Sequence, residues 1–179
     1  MACNINVTDI LLGCGATRGG IRDVYVASRN AIKGSFTRTP DNKNITIDQA
    51  VDGDWVKFEF RKATGSMTST YTIETNGVKY VTTDLVLQFA GINDDTSNSI
   101  NDLVKYDDLV VIVNTNAGKH IFLGETEPVV ATSSTMETGT AMGDLNGYNL
   151  TVQDTSNEYP IEVLLSDWER ISAAVEPTA

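Results

Sequence analysis

From Ile21 onward, apolar and polar positions alternate in short runs separated by turn chemistry, which predicts a chain built mainly of strands. In residues 21–29, Val24 and Val26 share one face and Tyr25 takes the other. Residues 33–39 predict a second short strand after a turn. A third run, Ile45-Thr46-Ile47, is flanked by Pro40, Asp41, Asn42, Asn44, Asp52 and Gly53. Residues 55–61 alternate well. Val56, Phe58 and Phe60 face one way, and Trp55, Lys57, Glu59 and Arg61 form a wet face. Residues 66–75 are rich in Ser, Thr and Tyr. Asn76-Gly77 is the strongest hairpin signal in the chain and joins them to a long or bent strand over 78–92.

The period then changes. Ile100, Leu103 and Val104 fall at i, i+3 and i+4, which predicts a helix over 96–105 with Asp94, Asp95 or Thr96 as its N-cap. Leu109 to Val113 is wholly apolar and reads as a central buried strand. A turn at Asn114 to Gly118 leads to a hairpin strand over 119–124, and another strand is expected over 129–136. The stretch Thr138 to Val152 carries Gly139, Gly143 and Gly147 and a bend at Asp144 to Asn146. Gly147 stands where the backbone is expected to need positive φ. A strand over 148–154 follows, with Tyr148, Leu150 and Val152 on one face and Asn149 and Thr151 on the other. The tail fits either a strand followed by a helical turn or one amphipathic helix over 161–174.

Together these elements predict a mainly β fold. It is a β-sandwich or small barrel with one embedded α-helix, a long hairpin and an irregular N-terminal arm. The expected divisions are an arm over 1–20, a β domain over 21–158, and a C-terminal segment over 159–179 that includes a docking helix.

Composition narrows the class. Hydrophobic residues make up 41% and charged residues 21%, as in globular chains. No apolar run approaches the roughly 20 residues that span a bilayer, and the N-terminus lacks the basic start of a secretory signal, so a cytosolic product is expected. Cys3 and Cys14 are then expected as free thiols. Net charge is −11 and unevenly spread. Residues 1–62 hold nine Lys/Arg and seven Asp/Glu, whereas 63–179 hold four and seventeen. A body this acidic repels nucleic acid instead of binding its phosphates. The basic positions Arg18, Arg22, Arg29, Lys33 and Arg38 read either as a solvated face or as a contact with the acidic part of another subunit.

Catalytic chemistry is thin. His120, the sole histidine, lies in a hairpin strand, and no G-x-S-x-G elbow accompanies it. The carboxylates Asp94, Asp95, Asp102, Asp107, Asp108, Glu125 and Glu127 do not single out an acid–base pair. Asp94 to Asn98 hints at a calcium loop but has Ser99 and Lys105 where an EF-hand needs Gly and Glu. The three glycines around Gly143 lack the Lys-Ser/Thr of a phosphate loop. No enzymatic activity, cofactor or metal is expected.

Five strings carry a resemblance: Met1-Ala2-Cys3-Asn4, Leu85-Val86-Leu87-Gln88-Phe89, the run Leu109 to Gly118, Ile121-Phe122-Leu123-Gly124 and, most specific, Thr138 to Thr151. Through them the segment from Tyr80 to Val152 resembles the tail-tube-like virion proteins of tailed bacteriophages that infect gut Bacteroidetes. Residues 5–75 carry none of it, and the apolar tail from Ile161 to Val175 departs from it. The resemblance implies a structural protein of the virion, made in the host cytoplasm, whose copies form homo-oligomeric rings, hexamers being favoured. Rings stack into a tube through which DNA passes without specific binding, along an acidic lumen. It also implies adjacent tail or connector proteins as partners and no membrane. The candidate subunit interface comprises Arg18, Arg22 and Arg29, the hairpin tip Asn76-Gly77, and Gly143 with Asp144. Two alternatives stand beside it. One is a connector ring of a short-tailed, crAss-like phage. The other is a monomeric β-sandwich binding module of carbohydrate or adhesin type.

Overall fold

The computed structural model describes residues 18–61 and 64–175. Cys3, Cys14 and nearly all of the expected arm lie outside the described residues. The strands are β1 (Ile21–Ser28), β2 (Phe36–Arg38), β3 (Asn44–Ile47), β4 (Val56–Glu59), β5 (Ser66–Ile73), β6 (Lys79–Ala90), β7 (Leu109–Thr115), β8 (His120–Leu123), β9 (Val130–Glu137), β10 (Gly147–Ser156) and β11 (Ile161–Val163). The helices are α1 (Arg29–Ile32), α2 (Asp94–Lys105) and α3 (Leu165–Val175), and a 3-10 turn spans Gln49–Asp54. No helix among the described residues is long and apolar enough to cross a membrane.

The strands form a sandwich of two sheets. The larger runs β2-β3-β11-β8-β7-β1-β4 and the smaller runs β5-β6-β10-β9. Alternation along β1 divides the interior into two cores. Val24 and Val26 point between the sheets, where they meet Leu85, Leu87, Leu150 and Val152. Tyr25 and Ala27 point to the opposite face, which α3 covers with Trp168 and Ile171. The larger sheet is therefore dry on both faces, and this explains the uninterrupted apolar run of β7. Asn76-Gly77 closes the β5–β6 hairpin as expected, with Gly77 at φ 85° and its N–H bonded to the Glu74 carbonyl at 2.9 Å. Because the turn sits at that tip, Met67 pairs with Leu85 and shares its core-facing side.

Three expectations are corrected. The cap of α2 is Asn93, whose side-chain oxygen accepts from the Thr96 N–H at 2.7 Å, so the helix starts earlier than the acidic pair suggested. Trp55 does not join the wet face. It precedes β4 and is buried under α3's side of the sheet, and on this face solvent is reached only at Glu59. Gly147 does not have positive φ. It lies within β10 opposite Ala90, where an added Cβ would come within 1.9 Å of the Phe89 carbonyl oxygen. Glycine is required there by close approach and not by turn geometry. The expected docking helix of the C-terminal segment is α3, and the tail takes the form of a strand followed by that helix. The tail splits at Leu164: Ile161 and Val163 enter the larger sheet between β3 and β8, and the helix folds back over it.

Helix α3 is pinned by charge as well as by packing. The Arg170 guanidinium donates to both oxygens of Asp52, at 3.0 and 3.2 Å, and to the Ile47 carbonyl at 2.8 Å. The buried Asp167 carboxylate accepts from Arg170 and from the Ile47 N–H, each at 3.0 Å. Each charged group is thereby both paired and hydrogen-bonded, which offsets its desolvation.

Candidate functional site

The smaller sheet has two unusual properties. Its edge strands, β5 and β9, are each eight residues long, whereas the edges of the larger sheet, β2 and β4, have three and four. Neither β5 (SMTSTYTI) nor β9 (VATSSTME) contains the Lys, Arg or Pro that usually blunts an open edge, and β9 is exposed from Thr132 to Glu137. The second property concerns the face turned away from the core. It is paved with Thr, Ser, Asn and Gln in rows that cross the strands. Gln88 donates to Asn149 at 3.0 Å, Gln153 to Asp84 at 2.7 Å, and Asn149 to Glu137 at 3.1 Å. Within the four strands, the charged side chains on this face are Asp84 and Glu137, both acidic, while Glu74 joins Tyr80 at the hairpin end and Arg61 lies with Asp144 beside Gln88 and Ala90 at the other.

The candidate interface residues lie on separate elements. Arg18 and Arg22 are exposed, and Arg22 reaches Asp23 only loosely, at 3.9 Å. Arg29 is instead engaged internally. Its guanidinium donates to the carbonyls of Glu125 and Thr126, each at 3.1 Å, and staples the end of β1 to the loop after β8. Asn76 is committed to its turn, its Oδ1 accepting from the Val78 N–H at 3.0 Å. The apolar residues offered at that tip are Ile73 and Val78, which the sequence reading passed over. Gly143 faces open space. Asp144 accepts from the Thr140 and Ala141 N–H groups at 2.9 and 2.7 Å and from the Thr140 hydroxyl at 3.0 Å. These bonds hold its carboxyl below the usual range and close the glycine-rich loop on itself. No hydrogen bond or ion pair joins the three groups to one another among the described residues.

His120 stacks on Trp168, with ring centroids 4.3 Å apart and planes 14° from parallel. Its Nδ1 is buried without a partner, and burial lowers its pKa. The Asp94 to Asn98 stretch forms the first turn of α2 and is no calcium loop. No three His, Cys, Asp or Glu side chains among the described residues converge closely enough to hold a metal ion.

One titratable group was missed. Asp154 continues the core-facing series Tyr148, Leu150, Val152 along β10 and is only 2% exposed. An acidic residue at that parity was the signal in the sequence. Its Oδ1 accepts from the Gly124 N–H at 3.1 Å. Burial pushes its carboxyl up to about 6, with Glu125 and Glu127 adding to the rise, while the Gly124 bond and Arg29 oppose it. Since the folded value exceeds the ordinary one, the fold favours the protonated form. Stability from this group is full below about pH 4, is lost as pH rises through 6, and the loss levels off at roughly 3 kcal/mol. Asp154→Asn keeps an acceptor for Gly124 and removes the charge. Its thermal midpoint is expected to exceed the parent's near pH 8 and to match it near pH 4. Equal midpoints at both pH values would refute that account.

Comparison with protein-family models, with curated proteins and with solved structures returns no match. The functional reading therefore rests on the residues and surfaces above.

Proposed function

We propose that this chain is a structural virion protein of a tailed phage, whose copies join into rings of a tail tube that conducts DNA. The observation that carries the reading is the smaller sheet, with two long edges that lack Lys, Arg and Pro and with strands that place no basic side chain on the outer face. Its four strands are antiparallel in the order β5-β6-β10-β9, so β5 and β9 run in opposite directions. A neighbour's β9 laid beside β5 continues the antiparallel alternation, and the same contact repeated around an axis closes a ring without leaving an edge. With the outer face of this sheet lining the lumen, DNA meets hydroxyls, amides and the carboxylates of Asp84 and Glu137, which do not retain phosphate. A hexamer is the ring the resemblance favours.

Negative-stain electron microscopy with light-scattering mass on the same sample tests this. Rings or tubes with a central hole are expected, and their symmetry separates a tail tube from a connector ring. Thr68→Lys with Thr70→Lys places charge on the β5 edge, where natural edges use it to block pairing. This variant is expected to remain monomeric with an unchanged circular dichroism spectrum. Rings formed as readily by it as by the parent would eliminate the β5 contact. The monomeric binding-module reading needs grouped exposed aromatics. Trp55 and Trp168 are both buried, which leaves it, among the described residues, Tyr106 by itself and the pair Tyr71 and Tyr159, 6.4 Å apart.

A further inference from the structure

Asn-Gly occurs twice in the chain, at Asn76-Gly77 and at Asn146-Gly147, and the fold treats the two oppositely. The side-chain amide of asparagine has an electrophilic carbon, Cγ. The backbone nitrogen of the next residue reaches that carbon by closing a five-membered ring. Glycine in the next position leaves the nitrogen unshielded, because it has no Cβ. Closure then depends on how firmly the backbone around the nitrogen is held. At Asn146-Gly147 it is held on every side. The Asn146 carbonyl accepts from the Gly91 N–H at 2.7 Å, and Gly147 is buried in β10 between Ala90 and Glu137. Its nitrogen turns toward Cγ only if β10 leaves its neighbours.

At Asn76-Gly77 the residues from Glu74 to Lys79 are exposed, and a Cβ added to Gly77 would meet nothing within 4 Å. The last ladder pair is Ile73 with Lys79. Beyond it the tip is held by the Gly77 N–H on the Glu74 carbonyl at 2.9 Å and the Glu74 N–H on the Val78 carbonyl at 2.8 Å. The electrophile is already set, since Asn76 Oδ1 accepts from the Val78 N–H at 3.0 Å. That bond draws electron density from Cγ and keeps a donor at the oxygen on which negative charge develops. We propose that Asn76 is a modification site, converted spontaneously to aspartate and isoaspartate through a cyclic imide with Gly77. Opening of the Gly77–Glu74 bond frees the nitrogen. Hydroxide takes its proton, the N–Cγ bond forms, and charge moves onto Oδ1. The Cγ–Nδ2 bond then breaks, and Nδ2 leaves as ammonia with a proton from water. Water next opens the imide. Cleavage of the N–Cγ bond gives aspartate on the original backbone. Cleavage between that nitrogen and the main-chain carbonyl carbon of residue 76 gives isoaspartate, with the backbone routed through Cγ. The sum is one water consumed and one ammonia released, with no change of oxidation state. Either product adds a negative charge close to Glu74, between the exposed Ile73 and Val78. Isoaspartate also adds a methylene to the turn whose length sets the β5–β6 register. The site stands whether or not the chain forms rings.

The test is peptide mapping by mass spectrometry on the full chain, aged in its folded state at mildly alkaline pH, with the aspartate and isoaspartate products separated by chromatography. The peptide containing Asn76 is expected to show the amide-to-acid mass change more than about tenfold faster than the peptide containing Asn146, because Gly77 is freed by opening of the tip alone and Gly147 only by opening of the sheet. Isoaspartate is expected among the products at Asn76, and the rate is expected to rise with hydroxide concentration. In urea, where the fold no longer distinguishes the two, the rates are expected to converge to within a few-fold. Asn76→Gln, whose longer side chain closes the ring far more slowly, is expected to leave its peptide unchanged. Equal rates at the two positions in the folded chain, or an Asn76 that reacts in urea but stays intact when folded, would overturn the proposal. So would a preference for Asn76 that persists undiminished in urea, since the flanking residues and not the fold would then set it.

Discussion

Gly147→Ala is expected to destabilise the protein by on the order of 3 kcal/mol, at the upper end of what overpacking a single site costs. The new methyl would sit 1.9 Å from the Phe89 carbonyl oxygen and 3.0 Å from the Ala90 Cα. Both obstacles are backbone, so no side chain can swing aside. Relief requires β10 to move away from β6, and those strands pair from Gly147 opposite Ala90 to Ser156 opposite Val81. Gly143→Ala is the control, because its added Cβ meets nothing within 4 Å. Urea unfolding of the two variants measures the difference. Equal midpoints would mean that the β6–β10 pair yields at its end without cost.

Trp168→Ala is expected to cost about 3–5 kcal/mol, as large-to-small changes of buried tryptophan do. Trp168 is 8% exposed, meets Tyr25 edge-on at 4.7 Å, and stacks on His120. Removing it opens the outer core beneath α3 while leaving the Arg170–Asp52 pair in place. Denaturant unfolding gives the magnitude. The histidine supplies a second readout. Burial lowers the His120 pKa, so the neutral ring is the one the fold accepts. Its contribution to stability is present above the unfolded value of about 6.5 and is lost as pH falls through the folded one. Uncovering the ring in Trp168→Ala is expected to bring its titration back up toward 6.5. A histidine resonance that titrates identically in parent and variant would show that Trp168 does not shield it.

What could be read from the chain follows from where each signal resides. The apolar run of β7, the Asn76-Gly77 turn and the Ile100/Leu103 spacing of α2 are local signals, and each appears where the pattern placed it. The reason for Gly147 is not local. It lies in a carbonyl of a strand almost sixty positions earlier, so turn chemistry was the nearer but wrong explanation. β11 is only three residues long and takes its parallel partner from Asn44 and Ile45, so periodicity alone could not divide the tail into strand and helix. The open edges of the smaller sheet depend on strand order, which alternation does not encode. The buried carboxylate was within reach, since Asp154 keeps the parity of Val152, but a series of apolar residues invites the reader to stop at its last apolar member.

The position of β11 also governs how the chain can be made. The β2–β3 ribbon joins the rest of the larger sheet only through β11, which lies between β3 and β8. The ribbon leaves the ribosome well before its bridging strand. During translation, β3 therefore waits with one edge unpaired while more than a hundred residues are added, and the sheet closes only once β11 has emerged. A nascent chain arrested before Ile161 would display that ribbon as an unfinished edge to chaperones, proteases and neighbouring nascent chains. Emergence of β11 thus acts as the checkpoint at which the larger sheet becomes continuous.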